Sequence, residues 1–199
     1  MTNVSDSYTI WLETAYRLFA EKGPIDFSVK EVAKECGLPR TNFYYYFDNK
    51  EDLLDKTLEL HIKSTIDVFN VEISNRLHTY IPNLYEVVYD LKLGIQFTKT
   101  LFKHRDILKY NNAYIKGNAL SADIIIPKFK DYFHINLPDD QVKPLWFILV
   151  DAWYSRLSFD NYTVEYLCET CYDIMNALGP LIELANKQGA SKSIVDTTV

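Results

Sequence analysis

Cysteine and histidine have the widest chemical range in this sequence, since both bind metal ions and both take part in catalysis. Cys168 and Cys171 form a C-x-x-C pair, but a structural zinc site needs four ligands and no second pair accompanies this one. The four histidines, which lack H-x-x-x-H spacing, are His61, His78, His104 and His134. No nucleophile–base pair and no phosphate-binding loop is visible. We therefore expect no metal site, no cofactor and no enzymatic activity, with both cysteines in the core.

A second group of residues points to nucleic-acid recognition. Residues 37–50, GLPRTNFYYYFDNK, place five consecutive aromatic residues between a turn signal and an Asn-Lys pair. If a helix follows a turn at Gly37, Phe43 and Phe47 lie four positions apart and share its buried face. The side chains left for the outer face are Arg40, Thr41, Asn42, Tyr44 and Tyr45. Arginine reads guanine, asparagine reads adenine and a tyrosine hydroxyl reaches phosphate, so the outer face has the chemistry of a DNA-reading surface.

Helices must position this surface, and the sequence carries their start and stop signals. Apolar residues recur at helical spacing over residues 9–20, which predicts a first helix. The stretch SVKE at residues 28–31 has the form of a capping box, so a second helix begins there and ends near Gly37. Asn49 has the sequence context of an N-cap for a further, long helix. Two helices joined by the short turn at 37–39 predict a helix-turn-helix.

The rest of the chain also has helical periodicity, and no run with the two-residue period of a strand is long enough to build a sheet. We expect one helical segment over 82–102, short helices near 105–115 and 120–134, and long amphipathic helices over about 139–158 and 163–186. Gly179-Pro180 should bend or interrupt the last of these. The sequence thus predicts an all-α fold of about nine helices.

Composition and charge restrict the class of protein. The chain has 199 residues, 48% of them hydrophobic, and a net charge of −6, so any polyanion must be met by a local patch. Three cysteines are an odd number for a disulfide framework. The first residues lack the basic and apolar regions of a signal peptide, and no apolar run is long enough to span a membrane. We expect a cytoplasmic protein without membrane contact.

The segment from about Thr9 to Leu54 resembles the DNA-binding domain of the TetR family of transcriptional regulators. The matching motifs are Ala15-x-x-Leu18-Phe19-x-x-x-Gly23, Ser28-Val29-x-x-Val32-Ala33-x-x-Cys36-Gly37-Leu38 and Phe43-Tyr44-Tyr45-Tyr46-Phe47-x-Asn49-Lys50-x-x-Leu53-Leu54. The resemblance implies that bases in the major groove face Lys30, Arg40, Thr41, Asn42 and Tyr45. It implies that phosphates are held by Ser28, Tyr44 and Lys50.

The resemblance also implies a domain organisation and a function. It predicts a three-helix helix-turn-helix domain at 1–50, a helical ligand-binding and dimerisation domain at 51–187, and a flexible tail at 188–199. The expected protein is a homodimer, assembled through its last two helices, that represses by occupying a pseudo-palindromic double-stranded DNA operator. A small-molecule effector would release it, with the long helix after Lys50 coupling the two domains.

The effector site is predicted from the tyrosines, of which there are fifteen, because a buried tyrosine needs a partner for its hydroxyl. An aromatic-walled cavity after residue 55 would use them, and our candidates for its lining are His61, Tyr89, His104, Tyr110, Tyr114, Trp146 and Tyr154. One alternative stays open. Residues 1–56 carry more acidic than basic side chains, so the chain could instead be a small-molecule-binding helical protein with weak or lost DNA binding.

Overall fold

The computed structural model describes residues 4–24 and 27–195. Within them lie ten α-helices and no strand. The helices are α1 (Val4–Lys22), α2 (Val29–Cys36), α3 (Arg40–Phe43), α4 (Lys50–Ser64), α5 (Asn70–Arg76), α6 (Asn83–Asp90), α7 (Lys92–Lys103), α8 (Leu108–Phe133), α9 (Asp139–Arg156) and α10 (Val164–Val195). A π-helical turn, Thr65–Phe69, joins α4 to α5, so the chain is helical without a break from Lys50 to Arg76. The predicted all-α class is confirmed.

Local sequence signals set the boundaries of the first helices. The Ser28 hydroxyl accepts a hydrogen bond from the Glu31 backbone N–H at 3.2 Å, which caps α2 as predicted. Gly37 ends α2 with φ +69°, a left-handed conformation that a side chain would strain. At the start of α4, the side-chain oxygen of Asn49 accepts hydrogen bonds from the backbone N–H groups of Glu51 at 2.9 Å and Asp52 at 3.1 Å.

Chain packing forms two compact units, the first made of residues up to Val68 together with Leu91–Gly117. Its core is the buried face of α1, on which the rings of Tyr16 and Phe19 each stack on Phe97 of α7 with centroids 4.4 Å apart. The Thr100 hydroxyl of α7 also donates to the Ala20 carbonyl of α1 at 3.1 Å. Helices α1, α4 and α7 therefore pack with the helix-turn-helix as one unit.

The second unit contains Phe69–Asp90 and the chain from Asn118 onward. Here α9 and α10 run antiparallel. The Trp153 indole N–H donates to the Leu167 carbonyl at 3.3 Å, while the Asn136 N–H, just before α9, donates to Asn186 far along α10 at 3.1 Å. Further packing comes from α6, where the Val88 carbonyl accepts from the Tyr162 hydroxyl at 2.8 Å.

Several element predictions were wrong in detail. The segment 82–102 is two helices separated at Leu91, and the two short helices expected near 105–115 and 120–134 are the single helix α8. Gly179-Pro180 does not interrupt α10, which includes Pro180, and a bend at this point stays a prediction. Pro180 is exposed, so water can satisfy the carbonyl that loses its N–H partner.

The predicted domain limits stay predictions. In packing, residues 51–68 belong with the helix-turn-helix rather than with the rest of the predicted second domain. Helix α10 continues to Val195, so residues 188–195 of the predicted tail have helical backbone, and residues 196–199 lie outside the described residues.

Candidate DNA-reading surface

The reading surface is a short turn held by aromatic packing. Within it, the α-helix α3 covers only Arg40–Phe43. After α3 the backbone N–H groups of Tyr45 and Tyr46 bond to the carbonyls three residues earlier, at 3.2 and 2.9 Å, which is the pattern of a 3₁₀ turn. Phe43 and Phe47 are buried, as predicted, with ring centroids 5.3 Å apart. The turn is therefore anchored in the core by two buried rings, although it contains little regular helix.

The predicted outer face is solvent-accessible. Tyr45 is 83% exposed and Tyr44 is 59% exposed, and Arg40 and Thr41 are also exposed. The Tyr44 ring meets Phe43 edge-on, with centroids 5.2 Å apart and planes at 88°, so the buried ring fixes the direction of the exposed one. These side chains present one arginine fork and two phenol groups to whatever approaches the turn.

Residues on the neighbouring elements have more mixed environments. Lys30 on α2 is exposed. Lys50 is half-buried: its ammonium donates to the Pro24 carbonyl at 3.2 Å and lies 5.8 Å from the centre of the Phe27 ring. Lys50 thus holds the chain after α1, and two of its three N–H donors remain for phosphate. Ser28 and Asn49 use their side-chain oxygens to cap their own helix N-termini, so the backbone N–H groups of Glu31 and Glu51 are engaged there and are not available for an anion.

Asn42 is held from inside the domain. Its side-chain oxygen accepts a hydrogen bond from the indole N–H of Trp11 at 3.1 Å. Trp11 is fully buried in α1, and its ring packs edge-on against Phe43 with centroids 5.3 Å apart. The sequence predicts base reading by Asn42, and the structure shows that one lone pair of its side-chain oxygen also ties the reading turn to α1.

Ion pairs join the first two helices. Arg17 on α1 pairs with Glu35 on α2 at 3.0 Å and with Glu21 at 3.1 Å, and Lys22 pairs with Glu31. All these groups are partly exposed, so each pair contributes little to stability. Their main consequence is electrostatic, because the cations are already neutralised by neighbouring carboxylates.

His61 lies at the centre of the first unit and links three helices. It is 3% exposed, its Nδ1 lies 2.8 Å from the Tyr16 hydroxyl of α1, and its Nε2 lies 3.1 Å from the Thr98 hydroxyl of α7. Thr98 donates its own proton to the Gly94 carbonyl at 3.0 Å, so it accepts from His61 Nε2–H and Tyr16 donates to Nδ1. Burial lowers the pKa of His61 to about 3, and the imidazole is neutral.

The other predicted effector-site residues are divided between the two units. In the first unit, Tyr110 and Tyr114 are buried; the Tyr110 ring packs against Phe19 and the Tyr114 ring against Phe102, each pair with centroids 5.6 Å apart. His104 packs near Gly23, where a Cβ added to the glycine would come within 3.2 Å of the His104 Nε2. These residues, with His61, pack in the helical core of the reading unit.

In the second unit, Trp146 and Tyr154 are buried and Tyr89 is half-exposed. Tyr89 stacks on Tyr162 with centroids 5.8 Å apart, and it borders an open, largely apolar groove of about 530 Å³. The groove is lined by Ile81, Pro82, Tyr89, Thr163, Val164, Glu165 and Cys168. Of the seven predicted residues, only Tyr89 lines it.

The C-x-x-C pair is part of the core, as expected. Both thiols are buried in α10, and burial raises the pKa of Cys168 to about 11 and that of Cys171 to about 12. Protonated thiols are poor nucleophiles and poor metal ligands. Within residues 4–24 and 27–195, no group of three or more His, Cys, Asp or Glu side chains is placed to share a metal ion.

Two residues that make contacts important to the first unit, Trp11 and Thr98, were not among the predicted site residues. In α1, Trp11 is fully buried beside the buried Ser7 and Ala15, whereas its apolar neighbours Ile10 and Leu12 are half-buried. A signal existed, because Ser7, Trp11 and Ala15 recur every four residues. No comparable pattern marks Thr98, since its role depends on meeting His61 in space.

Comparisons with known proteins agree with this geometry. A sequence profile described as bacterial regulatory proteins, tetR family, matches residues 12–57. The negative transcriptional regulator IcaR of the biofilm operon icaADBC from Staphylococcus epidermidis is 25% identical over 157 residues, covering 75% of this chain and 83% of IcaR. IcaR from Staphylococcus aureus strain Newman is 22% identical over 158 residues, with the same coverage.

Solved structures share the fold. A transcriptional regulator from Aquifex aeolicus VF5 aligns with a TM-score of 0.59 and 20% identity, covering 86% of this chain and 99% of that one. A regulator from Saccharomonospora viridis, crystallised with choline, aligns with a TM-score of 0.62 and 18% identity over 86% of this chain and 96% of that one.

Together with the helical fold, the profile match and the IcaR relatives identify a helix-turn-helix transcriptional regulator that binds DNA rather than an enzyme. More narrowly, the DNA-binding part of the chain, residues 12–57, matches the TetR family. No helix within the described part of the chain has the length and apolar character needed to cross a bilayer.

Proposed function

We propose that this protein is a homodimeric repressor that occupies a pseudo-palindromic operator and leaves it when a small molecule binds. The observation that carries the proposal is the exposed reading turn, in which Arg40, Tyr44 and Tyr45 face solvent over a buried aromatic base. Two phenol rings exposed to water make no stabilising contact, whereas in a DNA groove the rings can pack on sugars or thymine methyl groups and the hydroxyls can bond to phosphates. Such a repressor acts in the cytoplasm, where its operator lies.

We assign the DNA contacts by chemistry and exposure. Lys30, Arg40, Thr41 and Tyr45 are exposed polar or aromatic residues suited to base edges. The phosphate contacts are assigned to Ser28, Tyr44 and the ammonium of Lys50. Asn42 differs from these residues, because its carbonyl oxygen is already engaged by Trp11.

Dimerisation is assigned to α9 and α10. Trp146 and Trp153 cannot supply the contact surface, because both are buried within the chain. Exposed apolar side chains on the same helices support the assignment: Ile148 is 57% exposed and Leu184 is 54% exposed. A two-fold pairing of this antiparallel helix pair would cover such residues and form a four-helix bundle.

For the effector we favour the groove of about 530 Å³ beside Tyr89, which is large enough for a small metabolite. The helical run from Lys50 to Arg76 is suited to coupling, because it contributes residues to both compact units. A ligand that prefers the form with wrongly spaced reading turns would shift the population away from the DNA-bound form. Small movements suffice, since half-sites lie about 34–36 Å apart.

The function is tested by selecting binding sites from a random duplex library with the purified protein. We expect inverted repeats whose half-site centres are about one helical turn apart. Recovery of no enriched sequence at low salt would contradict the repressor assignment.

The effector site is tested on the same protein. Compounds that raise the melting temperature should release the selected operator in a gel shift, and Tyr89→Ala should abolish both effects. Tyr172→Ala, at an exposed tyrosine of the same unit that does not line the groove, should leave them unchanged. If both variants lose the rise in melting temperature and the release of the operator equally, the groove is excluded as the effector site.

A second function has support from the charge distribution. Arg17, Lys22 and Lys56 pair with carboxylates, and Lys50 bonds to a backbone carbonyl. The remaining positive surface is small, which favours a small-molecule-binding protein with weak DNA affinity. Operator affinity measured at low and physiological salt separates the two functions.

A further inference from the structure

The groove beside Tyr89 has one negative charge on an otherwise largely apolar lining. Among the described residues that line it, Ile81, Pro82 and Val164 are apolar, and Glu165 is the charged one. Glu165 lies in the first turn of α10, where its side chain is exposed. A ligand in the groove therefore meets a carboxylate as the charged group of the lining.

The thiol of Cys168 senses the electrostatic field inside the groove. Cys168 lines the groove and is 9% exposed. Burial, and after it the carboxylates of Glu86, Glu165 and Glu169, raise the pKa of Cys168 to about 11. These three carboxylates thus lie close enough to disfavour a negative charge on the thiol. The same field disfavours an anionic ligand and favours a cationic one.

The N-terminus of α10 also borders the groove, and by itself it would attract an anion. One of its free N–H groups is already used, since the Thr163 hydroxyl accepts from the Tyr166 backbone N–H at 3.2 Å. A helix N-terminus carries about half a positive charge, which the carboxylate of Glu165 in the first turn more than offsets. Glu169 adds a second carboxylate one turn later. The net field at this end of α10 is therefore negative.

The Tyr89 ring gives the groove a wall that suits a cation. Tyr89 stacks on Tyr162 with centroids 5.8 Å apart, and Tyr162 stacks on Phe159 with centroids 5.1 Å apart. The Tyr162 hydroxyl donates to the Val88 carbonyl at 2.8 Å, which anchors the stack in the core. Tyr89 itself is 44% exposed. The face of an aromatic ring is electron-rich and attracts an ammonium group.

The apolar lining decides which kind of cation fits. A metal ion needs six or more oxygen ligands, or keeps a shell of water, and this lining has few oxygen atoms. A primary ammonium is strongly hydrated and would lose water against apolar side chains. An ammonium whose nitrogen carries apolar substituents is weakly hydrated, and its substituents gain from burial. Such a cation can use the carboxylate, the ring and the apolar lining together.

We propose that the groove binds an organic cation whose charged nitrogen carries apolar substituents. The Tyr89 ring and the Glu165 carboxylate contact the charge, while Ile81, Pro82 and Val164 contact the substituents. This inference rests on the proposed role of the groove as the effector site, and it names the chemical class of the effector.

The test titrates the full-length protein, without DNA, with three probes that share a benzyl group: benzyltrimethylammonium, benzyl alcohol and phenylmethanesulfonate. Dissociation constants are obtained from the rise in melting temperature. Benzyltrimethylammonium should bind about three- to thirty-fold more tightly than benzyl alcohol, the size of one cation–π contact and one exposed ion pair. Phenylmethanesulfonate should bind most weakly.

The position of the bound cation is checked through the cysteines. Benzyltrimethylammonium should slow the modification of Cys168 by methyl methanethiosulfonate, followed by mass spectrometry, because both compounds occupy the groove. The modification of Cys36, which lies in the other compact unit, should proceed at an unchanged rate. Equal effects on the two thiols would place the cation outside the groove and overturn the inference.

Variants separate the carboxylate from the ring. Glu165→Gln, which keeps the shape of the side chain, should weaken binding of the cation about two- to five-fold and leave that of benzyl alcohol unchanged. Asp173→Asn is the control, because Asp173 is exposed on the same helix about 12 Å further along, where salt screens its charge. Tyr89→Phe should keep the preference for the cation, and Tyr89→Leu should reduce it. Equal affinities in Glu165→Gln and wild type would overturn the role of the carboxylate.

Three results with wild type overturn the inference as a whole. One is binding of phenylmethanesulfonate as tight as that of the cation, since the N-terminus of α10 would then dominate the field. The others are equal affinities for the cation and benzyl alcohol, and a cation that does not bind at millimolar concentration. Failure of the proposed function looks different: a cation that binds in the groove without releasing the selected operator excludes the effector role alone. Release of the operator by a neutral or anionic compound that requires Tyr89 would keep the proposed function and exclude the cation.

Discussion

The buried His61 should make the protein lose stability as the pH falls below about 6.5. An unfolded histidine takes up a proton near pH 6.5, whereas burial lowers the pKa of folded His61 to about 3. Between these values the unfolded chain binds a proton that the folded chain does not. The stability that His61 contributes as a neutral group is therefore present above pH 6.5 and is lost progressively toward pH 3.

The size of the effect follows from the two pKa values. Between pH 6.5 and pH 3 the unfolding free energy falls by about 1.4 kcal/mol for each pH unit. Integration from pH 7.5 to pH 5 gives a loss of about 2 kcal/mol in unfolding free energy. His61 is almost fully buried, so solvent screening does not reduce this value as it would for an exposed group. In a chain of this size the loss corresponds to a fall in melting temperature of about 4–8 °C.

The test compares wild type with His61→Gln by urea denaturation at pH 7.5 and pH 5. The glutamine oxygen can accept from Tyr16 and its NH₂ can donate to Thr98, but the side chain does not titrate in this range. The difference in unfolding free energy between variant and wild type should move by about 2 kcal/mol in favour of the variant at pH 5. His78→Gln, at an exposed position, is the control, and its difference from wild type should stay constant. Parallel pH profiles for wild type and His61→Gln would refute the reasoning.

Three further predictions concern DNA binding, assembly and folding. Arg40→Ala should reduce the binding free energy by about 1–3 kcal/mol on the operator and by much less on random DNA. Lys50→Ala should weaken binding to both DNAs alike and lower the salt dependence of binding by about one unit of slope per subunit. If salt titrations show that Arg40→Ala weakens binding to both DNAs equally, the assignment of Arg40 to base reading is refuted. Ile148→Glu should be monomeric at micromolar concentration, as measured by light scattering. The control Leu108→Glu, at a residue that is 71% exposed in the other unit, should leave the mass of the dimer unchanged. A dimeric Ile148→Glu variant would exclude α9 from the interface. Tyr162→Phe should lower the unfolding free energy by about 1–3 kcal/mol, because a backbone carbonyl of α6 loses its donor, and a melting curve equal to wild type would contradict that role.

The all-α class and the helix-turn-helix were predictable because their signals are local. A serine three positions before a glutamate, a glycine at a left-handed turn and an asparagine at a helix start each act through neighbouring backbone groups. Spacing by four also separated the buried Phe43 and Phe47 from the exposed Tyr44 and Tyr45. Such effects depend on residues within one helical turn, so one sequence is enough to identify them.

The roles of individual polar side chains were decided only by the tertiary structure. Asn42 meets Trp11 across 31 residues, Lys50 meets Pro24 across 26, and His61 meets Tyr16 across 45. From the sequence, Asn42 was a base reader, Lys50 a phosphate contact and His61 an effector ligand. A polar side chain has a limited number of donors and acceptors, and those engaged inside the fold are not available to a ligand. Helical periodicity specifies the face on which a residue lies, but the partner it meets there depends on which helices pack against that face.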